Sequence, residues 1–290
     1  MVPTPTSLER LRVFLAVSTV GTVAGAARSL GYTPSAVSQQ LAVLEREVGV
    51  ALVERSNKGI VLTAAGTVVA RRAGELLDLV RTTFDDATSA AAHHQATLTI
   101  ASFPTAIPTL LLPVRRRLAP DIDIVVVDAE PERAIQLVEA HEADAAITDA
   151  EAADRHSTEL HRTLLRSDPL RLVVPGRRRV RELAECAGDR WVLGGAHTRH
   201  GDAARRVCRA AGFEPDVIVE TEDHRIAFDV VRAAGAVTLL PEMALVQVPK
   251  GVAIARSIDV GYARRVEFVT RSTLRTNPAI MRLREALVAQ

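Results

Sequence analysis

The chain has 290 residues, 48% of them apolar, and a formal net charge of +1, so it can bury large cores and is long enough for about two domains. Its N-terminus, MVPTPTSLERLR, lacks a basic region leading into an apolar run, and no window approaches the roughly 18 to 20 uninterrupted apolar residues of a membrane span, so a soluble cytoplasmic protein with no membrane partner is expected. The two cysteines, Cys186 and Cys208, are too few for a disulfide framework and read as buried or inert thiols.

Up to residue 92 the pattern is helical except for one hairpin. Behind Ser7 as N-cap, Leu8, Leu11, Phe14 and Leu15 fall at helical spacing until Gly21 stops the helix. Val23, Ala26, Ala27 and Leu30 repeat the spacing behind Thr22, and Gly31 ends this helix after about two turns. A third helix starts at Thr33, with Pro34 in the first turn where its missing N–H costs nothing, and should bury Val37, Leu41, Leu44 and Val48 before Gly49. The stretch ALVERSNKGIVLT then reads as a two-stranded hairpin turning at residues 56–59. The order helix, helix, hairpin is that of a winged helix-turn-helix over residues 1–62. Thr63 caps a long helix, residues 63–92, in which Val69, Ala73, Leu76, Val80, Thr83 and Ala87 recur at alternating steps of four and three. Such a stripe wants a partner helix and marks a dimerisation seam.

From residue 93 to 290 strands and helices alternate, which predicts an α/β part with parallel sheets in two lobes. Strands are expected at 97–103, 122–128 and 143–149 with helices at 108–118 and 131–140, forming a first lobe over about 97–160. A second lobe, about 163–265, takes strands at 170–175, 191–193, 216–221 and 236–240 and helices at 202–211 and 225–234. The last strand, 266–270, and helix, 278–288, complete either the second lobe or the first.

The third helix carries Ser35, Ser38, Gln39 and Ala42 opposite its apolar side. Small neutral hydrogen-bonding groups match base edges and thymine methyls in a major groove without charge repulsion or bulk. The helix N-terminus near Thr33 and Ser35 can take a phosphate, and Arg55 and Lys58 lie in and beside the hairpin, where a wing would reach the backbone or a neighbouring groove. Against this stands a net charge of only +2 over residues 1–62, weak for a lone module that must neutralise phosphates and adequate if two copies act together.

The segment LRVFLAVSTVGTVAGAARSLGYTPSAVSQQLAVLEREVGVALVERSNKGIVLTAAG resembles the N-terminal signature of the LysR-type transcriptional regulators in order and spacing. The resemblance implies double-stranded operator DNA as partner, with Pro34, Ser35, Ser38 and Gln39 at recognition positions and Arg55 as a wing arginine. Many members have Gln at the position of Pro34 and Arg at that of Gln39, so direct readout differs here; a phenylalanine is common at the position of Val53. It further implies a homodimer assembling to a homotetramer and a C-terminal effector domain resembling periplasmic binding proteins, with a cleft between its lobes. RNA polymerase is a candidate further partner.

Ligands in α/β lobes gather at the C-terminal ends of strands near helix N-termini. Those ends supply Ser102, Phe103, Thr105, Asp128 and Thr148, and the loop GGAHTRHG supplies His197, Thr198 and Arg199. The candidate effector is a small carboxylate or amino acid. An equal reading has Ser102 and Thr105 merely capping a helix, and Arg199 reads more readily as solvated. His197, His200 and Cys208, or Asp154, His156, Glu159 and His161, lack the paired short spacings of a structural zinc site. GxSxG, GxxxxGK[ST] and strand-linked GxGxxG patterns are missing, so no catalytic residue, cofactor or metal is expected. The alternatives are a DNA-binding domain fused to a small-molecule enzyme, or an architectural DNA-binding protein without an effector.

Overall fold

A computed structural model describes residues 7–56, 59–90, 96–150 and 159–290, with side chains apart from those at 55, 56, 85, 86 and 88–90. Two compact units form, Met1–Leu164 with Glu267–Gln290, and Leu165–Val266. The chain passes from one to the other inside two strands.

The first unit begins with α1 (Leu8–Val20), α2 (Val23–Leu30) and α3 (Pro34–Val48), followed by β1 (Val53–Ser56) and β2 (Gly59–Leu62). Every helix boundary is written in local chemistry. Ser7, Thr22 and Thr33 accept from the backbone N–H of Arg10, Gly25 and Ala36, and Gly21, Gly31 and Gly49 close the helices at φ 70°, 70° and 84°, a left-handed conformation that costs glycine nothing. Phe14, Val13, Val17, Ala26, Val37, Leu44 and Leu52 form the core. Leu8 and Val48, expected inside, are 44% and 43% exposed: each sits at a helix end, beyond the reach of the neighbouring helices. Glycine is required at Gly59, where a Cβ would stand 2.6 Å from the carbonyl oxygen of Gly21, and the adjacent Ile60 N–H donates to that carbonyl at 2.7 Å, which docks the hairpin on the end of α1.

Thr63 starts α4 (Ala64–Ala90), its hydroxyl accepting from Gly66 N–H at 2.9 Å. The expected stripe on this helix needs a correction. Ala73 is 1% exposed within the core of its own domain and Val69 packs against the same core, because the three-helix bundle needs a fourth wall. The exposed apolar side is turned away from that wall and carries Val68, Leu76 and Leu79; Phe84, about three turns beyond Ala73 and on the same side as it, is exposed, as are Thr83 and Ala87, and Val80 is half-buried.

The α/β part of this unit contains β3 (Ala96–Ser102), α5 (Leu112–Leu118, entered through a π-helical turn, Ile107–Leu111), β4 (Ile122–Asp128), α6 (Pro131–Glu139) and β5 (Ala145–Asp149). β3 pairs in parallel with β4 and β5. The C-terminal β11 (Ala263–Arg271) borders β5, and α9 (Pro278–Val288) follows it. The closing strand and helix therefore return to the first unit.

The second unit has β7 (Arg190–Leu193) parallel to β8 (Asp216–Glu220), α7 (Arg199–Ala210) and α8 (His224–Ala234). β6 (Leu160–Pro175) pairs antiparallel with β9 (Thr238–Pro241) and with β10 (Val252–Ile254), a strand too short to show in the sequence. Trp191 is fully buried, its ring centroid 5.7 Å from that of Phe213 and its indole N–H donating to the Cys186 carbonyl at 3.2 Å. Cys186 and Cys208 lie in this core, and burial pushes both thiols up to about 12, so they are inert at neutral pH. Among the described residues no helix is long and apolar enough to cross a membrane.

Candidate nucleic-acid interface and ligand elements

The sides of α3 divide as its spacing requires. Val37, Leu41 and Leu44 are buried, while Thr33, Pro34, Ser35, Ser38, Gln39 and Ala42 are all exposed. Thr33 is both cap and surface residue, its hydroxyl 3.1 Å from that of Ser35. The far end of α3 is fixed by Glu45, whose carboxylate accepts from Leu52 and Val53 N–H at 2.8 and 3.2 Å. Sequence reasoning missed this residue, which counts as one more anion until its backbone partners are seen. Lys58 and the side chain of Arg55 lie outside the described residues.

The weak formal charge also looks different in three dimensions. Glu47 pairs with Arg10, Glu9 with Arg12 at 3.1 Å while also accepting from Tyr32 O–H at 2.9 Å, and Glu45 is spent on the backbone. Arg28 and Arg46 are exposed and have no ion-pair partner among the described residues. The net charge is unchanged by these pairs, and Arg28 and Arg46 remain as exposed cations for a polyanion.

In the α/β part of the first unit, the ladder sets Ser102 opposite Asp128 and opposite Ile147, bringing the C-terminal ends of β3, β4 and β5 together. Their accessibility differs. Ser102, Phe103, Thr105 and Thr148 are buried and Asp128 is exposed. Ser102 O–H donates to the Phe103 carbonyl at 3.3 Å, and Thr148 O–H to that of Pro131 at 3.4 Å. The helical segment beginning at Ile107 has Ala106 at its N-cap, which gives it no side-chain cap.

In the second unit the loop from Gly194 to Gly201 is a tightly anchored turn. Thr198 caps α7, accepting from Gly201 N–H at 3.1 Å and donating to the Gly195 carbonyl at 2.8 Å; its expected role as a ligand donor competes with this structural one. Glu222 accepts from Gly195 N–H at 2.9 Å, and Arg205 donates to the Gly194 and Gly201 carbonyls at 2.7 and 3.1 Å. A Cβ at Gly201 would lie 2.1 Å from the Gly195 oxygen. His197 is exposed and Arg199 half-buried. Asp154 and His156 lie outside the described residues, and among the described residues no three metal-ligating side chains gather.

His200 and His224, the second residue of α7 and the first of α8, meet edge to face with centroids 6.0 Å apart. Burial pushes His200 down to about 3 and lowers His224, each depressed further by a cationic neighbour. His200 is neutral when folded at any pH well above 3 and His224 is harder to protonate than in the unfolded chain, where an imidazole titrates near 6.5. The unfolded chain therefore binds more protons below about pH 6.5, and stability falls as the pH drops through that value. Urea midpoints of the wild type should decline from pH 7.5 to pH 5.5, and His200→Gln should flatten the decline; an equal slope in the variant would contradict this origin.

The architecture is thus a winged helix with a neutral polar exposed side on α3, joined by a long helix to an α/β part that runs through both units. The model of the bacterial regulatory helix-turn-helix protein, lysR family, matches residues 8–67, and that of the LysR substrate binding domain matches residues 91–290. The chain belongs to the LysR family of transcriptional regulators.

Among similar proteins, the uncharacterized HTH-type transcriptional regulator Rv2282c of Mycobacterium tuberculosis is 46% identical over 72 residues, 25% of this chain and 23% of that one. The match therefore spans under a quarter of that relative. The HTH-type transcriptional regulator YofA of Bacillus subtilis is 26% identical over 81% of both chains. Of solved structures, full-length OxyR from Pseudomonas aeruginosa aligns with a TM-score of 0.64 at 19% identity over 98% of both chains. CbnR, a LysR family transcriptional regulator, aligns at 0.57 and 24% identity over 97% of this chain and 99% of that one. CbnR has also been solved with its target DNA.

Proposed function

We propose that the protein is a ligand-responsive, sequence-specific regulator of transcription acting in the cytoplasm, and that it binds operator DNA through α3. The observation that carries this reading is the division of α3 into a buried apolar side and an exposed side of Thr33, Pro34, Ser35, Ser38, Gln39 and Ala42. Ser38 and Gln39 read base edges, the N-terminus of α3 takes a phosphate, and Arg28, Arg46 and the wing residues Arg55 and Lys58 supply sequence-independent affinity. A homodimer, assembling further to a homotetramer, doubles the cationic surface. The side of α4 bearing Val68, Leu76 and Leu79 supports that assembly, since large side chains left 47–62% exposed along one helix need cover.

The α/β part holds a small organic effector, a carboxylate or an amino acid. Ser102, Phe103, Thr105, Asp128 and Thr148 at the strand ends and His197, Thr198 and Arg199 in the anchored loop are its candidate contacts, with the exposed Asp128 and His197 the most accessible. RNA polymerase is a proposed partner at the promoter.

DNA fragments retained by the purified protein, once sequenced, should share a partly palindromic site with half-sites about one helical turn apart. Isothermal titration of carboxylates and amino acids should find one that shifts the affinity for that site, with binding weakened about tenfold or more in Ser102→Ala or His197→Ala. Retention of random fragments, or an effector bound equally by both variants, would overturn the respective half of the reading.

A further inference from the structure

The long helix α4 is fastened to the α/β part of the first unit by buried charges of alternating sign. Asp78, on α4, is 3% exposed and faces Arg271, the last residue of β11, itself 5% exposed. Arg271 Nη2 stands 2.9 Å from Asp78 Oδ1, and Nε lies 3.0 Å from both carboxylate oxygens. Its Nη1 donates to the carbonyls of Val138 and Ala143 at 2.6 and 2.7 Å, so the guanidinium is held on both sides. His141 Nδ1 is 3.0 Å from Asp78 Oδ1, and Thr273 O–H donates to Oδ2. Gly74, one turn earlier on α4, gives His141 its room: a Cβ there would lie 2.9 Å from the ring.

The next turn reverses the polarity. Arg81 of α4 pairs with Asp144, which is 0% exposed and also accepts from Thr99 N–H at 2.7 Å. The two pairs are adjacent, with Arg271 Nη2 3.9 Å from Asp144 Oδ1. An anion and then a cation on the helix thus meet a cation and then an anion on the α/β part. A uniformly charged patch would tolerate sliding, but here rotation by one residue, or a slip by one turn of about 5.4 Å, strands at least one buried charge, at a cost far above that of an exposed ion pair.

We propose that this clasp is a conformational device. It fixes the register of α4 on the α/β part of the first unit, so that the DNA-binding helices, α4 and that part turn as one body instead of hinging after α4. One flank of the clasp is open to a cavity of about 560 Å³, where Asp78, His141, Arg271 and Thr273 are joined by Leu15 and Ser18 of α1, so the DNA-binding domain itself borders the joint.

Hydrogen exchange of α4 amides in the full-length protein tests this. Asp78→Asn and Arg271→Gln should each raise exchange over residues 74–84 by about tenfold or more while β7 and β8 stay protected, and the double variant should add little, because both remove one interaction. Arg81→Gln, at a partner that is 31% exposed, is the milder variant should the buried ones fold poorly, and it should raise the same amides. Unchanged exchange in α4, effects of the two single variants that simply add, or a rise shared equally by β7 and β8 would overturn the proposal.

Discussion

Phe14→Ala is expected to destabilise the DNA-binding domain by about 3–5 kcal/mol and to abolish operator binding at 37 °C. Phe14 is fully buried where α1 meets α2 and α3, among Val37, Leu44 and Leu52. Truncation forfeits the transfer energy of the ring and leaves a cavity that three short, capped helices cannot collapse to fill. A domain of some 60 residues has only a few kcal/mol in hand, so the loss consumes most of it. Circular dichroism should show reduced helix content and gel shifts no retained DNA, although no base-reading residue has changed. Retention of wild-type affinity at 37 °C would mean that the bundle does not depend on this core.

Trp191→Ala should cost a similar 3–5 kcal/mol in the second unit and eliminate the effector response while leaving operator binding measurable. The indole fills the core between β7 and α7, packs at a tilt of 37° against Phe213 and donates to the Cys186 carbonyl. Removing it leaves a void in that core, while the Cys186 carbonyl keeps the Asp189 N–H at 3.1 Å, so the cost is that of the cavity. The anchored turn from Gly194 to Gly201 follows β7 directly, so loosening that strand displaces His197 and Thr198. Thermal unfolding followed by tryptophan-independent probes, paired with gel shifts with and without effector, reads both effects. Loss of DNA binding in step with effector binding would contradict the assignment of separate tasks to the two parts.

The sequence made some of this visible and concealed the rest for physical reasons. Helix limits in the first 90 residues are local matters of a hydroxyl reaching back to an N–H and a glycine adopting positive φ, so Ser7, Thr22, Thr33, Thr63 and the glycines after each of the first three helices announce them. The neutral side of α3 was legible for the same reason, since helical spacing alone separates Val37, Leu41 and Leu44 from Ser38 and Gln39. What depends on a distant partner was not legible. Ala73 fits a seven-residue stripe as well as it fits a domain core, and only packing against α1 decides for the core. The 16 residues of β6 are settled by ladders to β9 and β10, whose partners lie 65 to 81 positions on, and the return of β11 to the first unit by its place beside β5, more than a hundred positions earlier. Asp78 and Arg271 stand 193 residues apart, and each resembles an ordinary surface charge until the two are seen buried together. Ser102 and Thr148 were rightly placed at strand ends, but their burial could not be read from spacing.

The central claim is that the exposed side of α3 reads sequence. Selection of binding sites from a randomised DNA pool, with wild type, Ser38→Ala, Gln39→Ala and Arg28→Ala compared at one salt concentration, addresses it directly. The account predicts that Ser38→Ala and Gln39→Ala change the preferred bases within each half-site, at about 1–3 kcal/mol per position, whereas Arg28→Ala weakens all sites alike and lowers the salt dependence by about one phosphate. An unchanged motif in both α3 variants would contradict it.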